Sequence, residues 1–183
     1  MNSYQHLSQL FEEKFNVRHF AAQPGRLYDA SQYLLTLGGK RIRPVMCLMG
    51  NELFDTINPD TYHVATAIEL FHNFTLVHDD IMDKAPLRRG MQTVHTKFGE
   101  PTALLAGDVM LVAAYENLNK ISTTHIHQVL EIFNATAKKV CEGQQLDMDF
   151  AQRSQRTPLE APSGENIENV SFDEYVTMIC LKT

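Results

Sequence analysis

Three aspartates, Asp79, Asp80 and Asp83, form the segment DDIMD, the most chemically informative cluster of this sequence. In an α-helix, Asp79 and Asp83 lie about 40° apart and one turn apart, on the same stripe. Two carboxylates at that spacing repel each other at neutral pH, and a divalent cation between them removes the repulsion. Hard oxygen ligands suit magnesium, which also binds water and substrate phosphates. The spacing therefore predicts a magnesium site for a phosphorylated ligand, and the alternative is a solvated acidic helix end.

Two basic groups complement these acids. The first lies in the segment GGKRIRP and the second in RRG, five residues after the last aspartate. Their cations are Lys40, Arg41, Arg43, Arg88 and Arg89. Cations beside metal-binding acids would each neutralise part of a polyphosphate, and the free amides at a following helix start would add hydrogen bonds. The alternatives are exposed basic residues after a helix C-cap for the first group, and a salt bridge to Asp80 or Asp83 for the second.

Other polar positions are weaker signals when taken alone. His72 lies about 20° from the first aspartate on the same helical stripe, although a hydrogen-bonded core histidine is the commoner use of such a residue. Gly143–Asp147 (GQQLD), which includes Gln144, is a polar cluster on an otherwise amphipathic helix. Lys182 and Thr183 end the sequence.

The elements that must position these residues follow a helical period. We predict helices at Ser3–Phe15, Arg26–Leu37, Pro44–Phe54, Thr61–Asp83, Pro101–Lys120 and Thr123–Ala151, and a last helix from Phe172. The helix that carries the aspartates is apolar nearly all round, which predicts a place at the centre of a bundle. Pro86 and Gly90 bound a basic loop, Gln152–Val170 is a loop, and no alternating strand pattern is found. The predicted fold class is all-α.

The composition excludes several classes of protein. The net charge of -6 argues against nucleic-acid binding. No apolar run approaches the ~20 residues that a transmembrane helix needs. Cys47, Cys141 and Cys180 match no zinc or disulfide spacing and indicate reduced thiols. We therefore expect a cytoplasmic protein.

A resemblance to a known family rests on the order in which these segments occur. GGKRIRP, His72, HDDIMD, RRG with PTALLAGD, GQQLD and the final KT resemble the trans-isoprenyl diphosphate synthases, or polyprenyl synthetases, over about Leu37 to Thr183. The resemblance implies an isoprenoid synthase-type helical bundle around a central cavity. It also implies a magnesium-dependent prenyltransferase that joins isopentenyl diphosphate to dimethylallyl, geranyl or farnesyl diphosphate. A homodimer is expected, partly because the helix at Pro101–Lys120 is apolar on more than one face.

The resemblance also implies roles for individual residues. The pocket for isopentenyl diphosphate would consist of Lys40, Arg43, His72 and Arg89. The ligands of the magnesium on the allylic diphosphate would be Asp79 and Asp83. The direct contacts of that diphosphate would be Arg88, Lys182 and Thr183, with Gln144 and Asp147 lining the same pocket. The residues expected to act in catalysis are Asp79, Asp83, Arg88 and Lys182.

Product length is expected to depend on residues that precede Asp79 on its helix. In the resembling family, an aromatic residue five positions before the aspartate motif goes with short products, and that residue is Phe74 here. Helix geometry puts Phe74 about 140° from Asp79, whereas Thr75 and Phe71 lie about 40° and 80° away. Thr75 is small and leaves the first turn open, so Phe71 is a deeper candidate for the floor. We expect products of C15 to C20.

One departure from the family pattern concerns the end of the sequence. The family carries a second aspartate-rich motif on a later helix, but only Asp173 follows Asp149 here. We therefore expect residues 1–183 to be a single all-α domain that is truncated before that motif, so that its activity in isolation is not assured.

Two other hypotheses stay open. The dipeptide His78–Asp79 could belong to an HD-type metal-dependent phosphohydrolase, which leaves GGKRIRP and RRG unexplained. The chain could also be a non-catalytic subunit of a prenyl synthase, but the intact DDIMD and both basic motifs count against this.

Overall fold

The computed structural model describes residues 2–155 and 170–182. The helices in these ranges are α1 Tyr4–Phe15, α2 Gly25–Thr36, α3 Ile42–Glu52, α4 Pro59–Met82, α5 Val94–Phe98, α6 Glu100–Leu118, α7 Ile126–Gln155 and α8 Phe172–Lys182. Two short strands, β1 Leu87–Arg88 and β2 Met91–Gln92, pair antiparallel. The predicted all-α class is therefore confirmed. The chain divides into two compact units, Met1–Ile126 with α1 to α6 and the hairpin, and His127–Thr183 with α7 and α8.

Several helix boundaries differ from the prediction. The third helix begins at Ile42 and not at Pro44, because Arg41 has a left-handed backbone (φ 51°) and forms the N-cap. The fourth begins at Pro59, because the side chain of Asn58 accepts a hydrogen bond from the N–H of Thr61 at 3.1 Å. The seventh continues to Gln155, into the segment that was predicted as a loop. The rest of that predicted loop, residues 156–169, lies outside the described residues.

The prediction missed α5 and the hairpin, so the expectation of a strand-free basic loop is wrong. Arg89 (φ 53°) and Gly90 (φ 78°) form the two-residue connection between the strands. Both have the positive φ that the favoured type I′ turn requires at its two central residues. Strands of two residues are too short to leave an alternating pattern in the sequence.

Helix α4 is the centre of the first unit, as the sequence predicts. It packs against α2, α3, α5 and α6. Its buried apolar residues are Ala65, Ala67, Leu70 and Val77, and those of α6 include Ala103, Ala106, Met110 and Ala114. Alanines on both helices let their backbones approach closely. Within the described ranges, every helix is too short or too polar to cross a bilayer.

Candidate active site

The carboxyl end of α4 carries the aspartate motif. Asp83 is the C-cap of the helix, and its N–H donates a hydrogen bond to the carbonyl of Asp79 at 2.9 Å. The two residues are therefore one turn apart, as the spacing predicts. The side chain of Asp79 is half-buried and that of Asp83 is exposed. Among the described residues, no cluster of three or more His, Cys, Asp or Glu side chains could hold a metal ion. A metal here would therefore need ligands from substrate or water.

The middle aspartate has a different environment. Asp80 is 2% exposed, and its two carboxylate oxygens accept hydrogen bonds from Nε and Nη2 of Arg88, each at 2.8 Å. The bond to Asp80 is the largest cause of a raised pKa of Arg88. Nη2 of Arg88 also lies 3.9 Å from Oδ2 of Asp79. The salt bridge that the sequence left as an alternative for Arg88 is thus present, and the guanidinium still reaches the first aspartate.

The first basic group separates into a buried and an exposed part. Arg41 is 4% exposed, with Nη1 2.5 Å from Oε1 of Glu69 and Nη2 3.1 Å from the carbonyl oxygen of Leu35. Lys40 and Arg43, on either side of it, are exposed. The expectation that all three cations bind phosphate is therefore wrong for Arg41, because a buried carboxylate neutralises its charge.

The structure brings the two basic groups together. The guanidinium of Arg89 lies against the backbone of Gly39, where a Cβ atom would be 3.0 Å from Nη1 and 3.1 Å from Nη2. Partial burial lowers the pKa of Arg89, the charges of Arg41 and Arg88 lower it further, and Glu69 opposes them. Glycine at position 39 therefore allows the two motifs to meet.

His72 lies among the same cations. Burial lowers its pKa to about 4, and the positive charges of Arg43, Arg89, Arg88 and Arg41 contribute to this decrease. The imidazole is therefore neutral at pH 7, and it can donate one hydrogen bond and accept another. His72 and the arginines of the two basic motifs therefore form a cationic cluster, which suits an anionic group.

His78 is positioned by α6. Its Nε2 atom is 3.2 Å from the carbonyl oxygen of Leu104 and 3.7 Å from Oδ1 of Asp108. A Cβ atom on Gly107 would lie 2.6 Å from Cδ2 of His78, so the glycine leaves room for the ring. The segment LAGD thus accommodates the histidine that precedes Asp79. This use of His78 in helix packing gives no support to the HD-type phosphohydrolase.

The three residues that we expect to control product length differ in their contacts. The rings of Phe71 and Phe74 are 5.6 Å apart, and the ring of Phe74 is 4.7 Å from that of His78 in an edge-on arrangement. Thr75 donates a hydrogen bond from Oγ1 to the carbonyl of His72 at 2.8 Å. Both aromatic residues are half-buried, and they form a row along α4 that ends at His78.

The second unit holds the remaining predicted site residues. Lys182 of α8 forms an ion pair with Asp147 of α7. A Cβ atom on Gly143 would lie 2.7 Å from Cα of Lys182, so this glycine lets the two helices pack backbone to backbone. Gln144 is half-buried, and Thr183 lies outside the described residues. The segment GQQLD therefore supplies a close helix contact and a partner for Lys182.

A buried polar stripe on α4 was missed in the sequence. Its members are Glu69, Asn73 and Asp80, which are 4%, 1% and 2% exposed. Asn73 donates from Nδ2 to the carbonyl of Glu69 at 2.8 Å and to its Oε1 at 3.1 Å. On a helix these three positions lie within about 40° of one another. Polar residues at this spacing on an otherwise apolar helix could therefore have predicted the stripe.

Comparison with known proteins gives consistent matches. The family model described as Polyprenyl synthetase matches residues 24–183. The geranylgeranyl diphosphate synthase of Methanosarcina mazei is 43% identical over 140 residues, which cover 75% of this chain and 43% of that protein. The one from Saccharolobus solfataricus is 38% identical over 174 residues, 92% of this chain and 48% of that protein. The solved geranylgeranyl pyrophosphate synthetase of Geoglobus acetivorans has a TM-score of 0.85 at 37% identity, covering 98% of this chain and 55% of that chain. The chain spans about half the length of the curated relatives that it matches.

Proposed function

This chain belongs to the polyprenyl synthetase family, and we propose that the complete protein joins isopentenyl diphosphate to an allylic diphosphate to make a short-chain all-trans prenyl diphosphate. The observation that carries this proposal is the cationic cluster in which Arg43 of α3 and Arg89 of the hairpin lie close enough to lower the pKa of His72 further than burial alone does, on the helix that ends in the aspartate motif. One anion would bind at the cationic cluster, and a second, with its metal, at Asp79 and Asp83. The condensation uses two diphosphate substrates, and these two sites would bind one each.

Magnesium is the proposed cofactor, with Asp79 and Asp83 as its protein ligands. The donor set fits, because two carboxylates one turn apart supply hard oxygens and leave most coordination positions to water and phosphate. Asp80 is not proposed as a ligand, because both of its oxygens accept hydrogen bonds from Arg88. When bound, Mg²⁺ stabilises the negative charge that develops on the leaving diphosphate.

The side chains of this chain then act mainly by binding and orienting the substrates. Arg88 would contact the allylic diphosphate, since its guanidinium reaches Asp79 while Asp80 holds it. Lys40, Arg43, Arg89 and neutral His72 would bind isopentenyl diphosphate. The allylic C–O bond breaks, the double bond of isopentenyl diphosphate attacks the allylic cation, and a proton leaves to the departing diphosphate. The apolar side chains of the helices would keep water away from the cation.

We propose that Lys182 and Gln144 of the second unit bind diphosphate, and that Asp147 orients Lys182 through their ion pair. The role expected for Thr183, which lies outside the described residues, stays a prediction. The family match extends across both units, which supports the proposal that they belong to one prenyltransferase domain.

We propose products of C15 to C20, with Phe71 or Phe74 as the floor of the cavity that receives the growing chain. Two relatives named as geranylgeranyl diphosphate synthases support the C20 end of this range. A homodimer is also proposed, because α6 exposes Leu104 (43%), Leu105 (56%) and Val112 (58%). Sedimentation of the complete protein at micromolar concentration tests this assembly. A cytoplasmic location stays a prediction from the sequence.

Product analysis tests the proposed function. The complete protein is incubated with Mg²⁺, isopentenyl diphosphate and, in separate reactions, dimethylallyl, geranyl or farnesyl diphosphate. We expect prenyl diphosphates that elongate by C5 units, no product with EDTA, and recovery on adding Mg²⁺. Phosphate release that needs no isopentenyl diphosphate would indicate a phosphohydrolase instead. Turnover only after a second protein is added would indicate a subunit that is inactive alone.

A further inference from the structure

We infer that the buried ion pair of Arg41 and Glu69 is a positioning device for the isopentenyl diphosphate pocket, an inference that rests on the proposed function. In this scheme Arg41 and Glu69 do not contact the substrate. They hold the backbone from which Lys40 and Arg43 project, and their charges act on Arg89. They are therefore positioning residues and not catalytic residues.

The pair is fully enclosed by protein. The side chains of Arg41 and Glu69 are 2% and 5% exposed. Nη2 of Arg41 donates to the carbonyl of Leu35, its guanidinium lies 5.0 Å from the ring centroid of Phe15, and Asn73 donates to Glu69. Among the described residues, Nε of Arg41 has no hydrogen-bond partner. Contacts with these partners restrict the conformations of both side chains. The pair can therefore hold the backbone around Arg41 in place.

The backbone at Arg41 determines where the neighbouring cations lie. Arg41 has a left-handed backbone (φ 51°) and is the N-cap of α3, with its carbonyl accepting from the N–H of Val45 at 3.1 Å. A non-glycine residue in this conformation is uncommon, and it persists where surrounding contacts hold it. Lys40 and Arg43 leave this segment toward solvent, and the Tyr4 hydroxyl donates a hydrogen bond to the carbonyl of Lys40.

The pair also acts on the second basic motif. The guanidinium of Arg89 lies against Gly39, two residues before Arg41. Arg41 disfavours the positive charge of Arg89, whereas Glu69 favours it. Glu69 thus neutralises a buried arginine whose charge would otherwise repel Arg89. Removing only the carboxylate charge should leave Arg41 buried and uncompensated, which drives it toward water and displaces the loop.

The test separates the two substrates. In the complete protein, Glu69→Gln should raise the KM for isopentenyl diphosphate about tenfold, while the KM for the allylic diphosphate and kcat change less than about twofold. A titration of isopentenyl diphosphate alone, followed by calorimetry, should show the same loss of affinity without turnover. Arg41→Lys keeps the charge but loses the paired donors, and should raise the same KM about threefold.

Ser31→Ala is the matched control, because Ser31 is a fully buried polar residue of the first unit that donates to the carbonyl of Leu27. It should change the melting temperature and leave both KM values as in the wild type. Equal effects of Glu69→Gln on both substrates, or none on isopentenyl diphosphate, would overturn the inference. If Glu69→Gln does not fold, an unchanged KM in folded Arg41→Lys overturns it equally. Failure of the wild type to bind isopentenyl diphosphate would instead contradict the proposed function.

Discussion

The guanidinium of Arg88 spans both carboxylate oxygens of Asp80, with a donor 2.8 Å from each oxygen. This planar, bidentate pairing fixes the arginine more strongly than a single bond would. It also divides the aspartate motif by function. The buried middle residue holds the partly exposed Arg88, whereas the outer two aspartates, one turn apart, are the proposed metal ligands.

Asp79→Ala and Asp83→Ala should each abolish turnover in the complete protein while the fold stays intact. Loss of one carboxylate removes a metal ligand and also relieves repulsion along the helix, so the melting temperature should stay the same or rise slightly. Steady-state rates at saturating Mg²⁺ check this, with Asp55→Ala, an exposed aspartate before α4, as the control. More than about a tenth of the wild-type rate, which corresponds to about 1.4 kcal/mol of barrier, would contradict the metal assignment.

Asp80→Ala should act on stability as well as on activity. It leaves the guanidinium of Arg88, 23% exposed, without its main partner, and breaking such a buried pair costs about 3 kcal/mol. Urea denaturation should show this loss, whereas Asp79→Ala should show little. If the free energy of unfolding falls by less than about 1 kcal/mol, Arg88 is stabilised equally well by water or by another side chain.

Gly39→Ala should weaken binding of isopentenyl diphosphate more than binding of the allylic substrate. The added methyl group would lie 3.0 Å from the guanidinium of Arg89 and displace it from the first basic motif. Gly38→Ala is the contrasting variant, because Gly38 has φ +72° but no atom within 4 Å of its Cβ position. It should lose about 1–2 kcal/mol of stability through backbone strain and keep both KM values. Similar KM values in both variants would refute the contact with Arg89 as the reason for glycine at position 39.

The buried histidine of the cationic cluster, His72, predicts a pH effect on stability. The folded-state pKa of His72 is about 4, below its ordinary value of 6.5, so the unfolded chain binds a proton that the native state does not bind. This contribution to stability is fully present above pH 6.5 and is lost as the pH falls toward 4. The wild type should therefore lose more unfolding free energy than His72→Gln between pH 7.5 and 5, as measured by urea denaturation. If the unfolding free energies of the two proteins change in parallel with pH, the pKa of His72 is the same in the folded and unfolded states.

Phe74→Ala and Phe71→Ala should distinguish the two candidate floors of the product cavity. The ring of Phe74 lies between those of Phe71 and His78, at 5.6 and 4.7 Å, and Phe71 is three residues further than Phe74 from the aspartates along α4. The substitution that lengthens the product identifies the floor, and chromatography of the dephosphorylated products measures it. If neither variant lengthens the product, or if the wild type makes C30 or longer, other helices determine product length.

Local signals in the sequence predicted most of the helices and the residues of the candidate site. Apolar residues nearly all round α4 predicted its place at the centre, and the spacing of Asp79 and Asp83 predicted that they lie one turn apart, because both properties belong to a single helix. Several helix ends differed from the prediction, because capping contacts set them. The hairpin and α5 left no periodic signal, because they are too short.

Tertiary structure decided which charged residues are buried and which group packs against each glycine. Arg41 and Lys40 are adjacent in the same basic motif, yet Arg41 is buried against a carboxylate 28 positions away on α4, whereas Lys40 is exposed. Gly39, Gly107 and Gly143 look alike in the sequence, but each leaves room for a different group: a guanidinium, an imidazole and a helix backbone. These outcomes depend on contacts between segments that are distant in sequence, and no local pattern of residues encodes which side chains will meet.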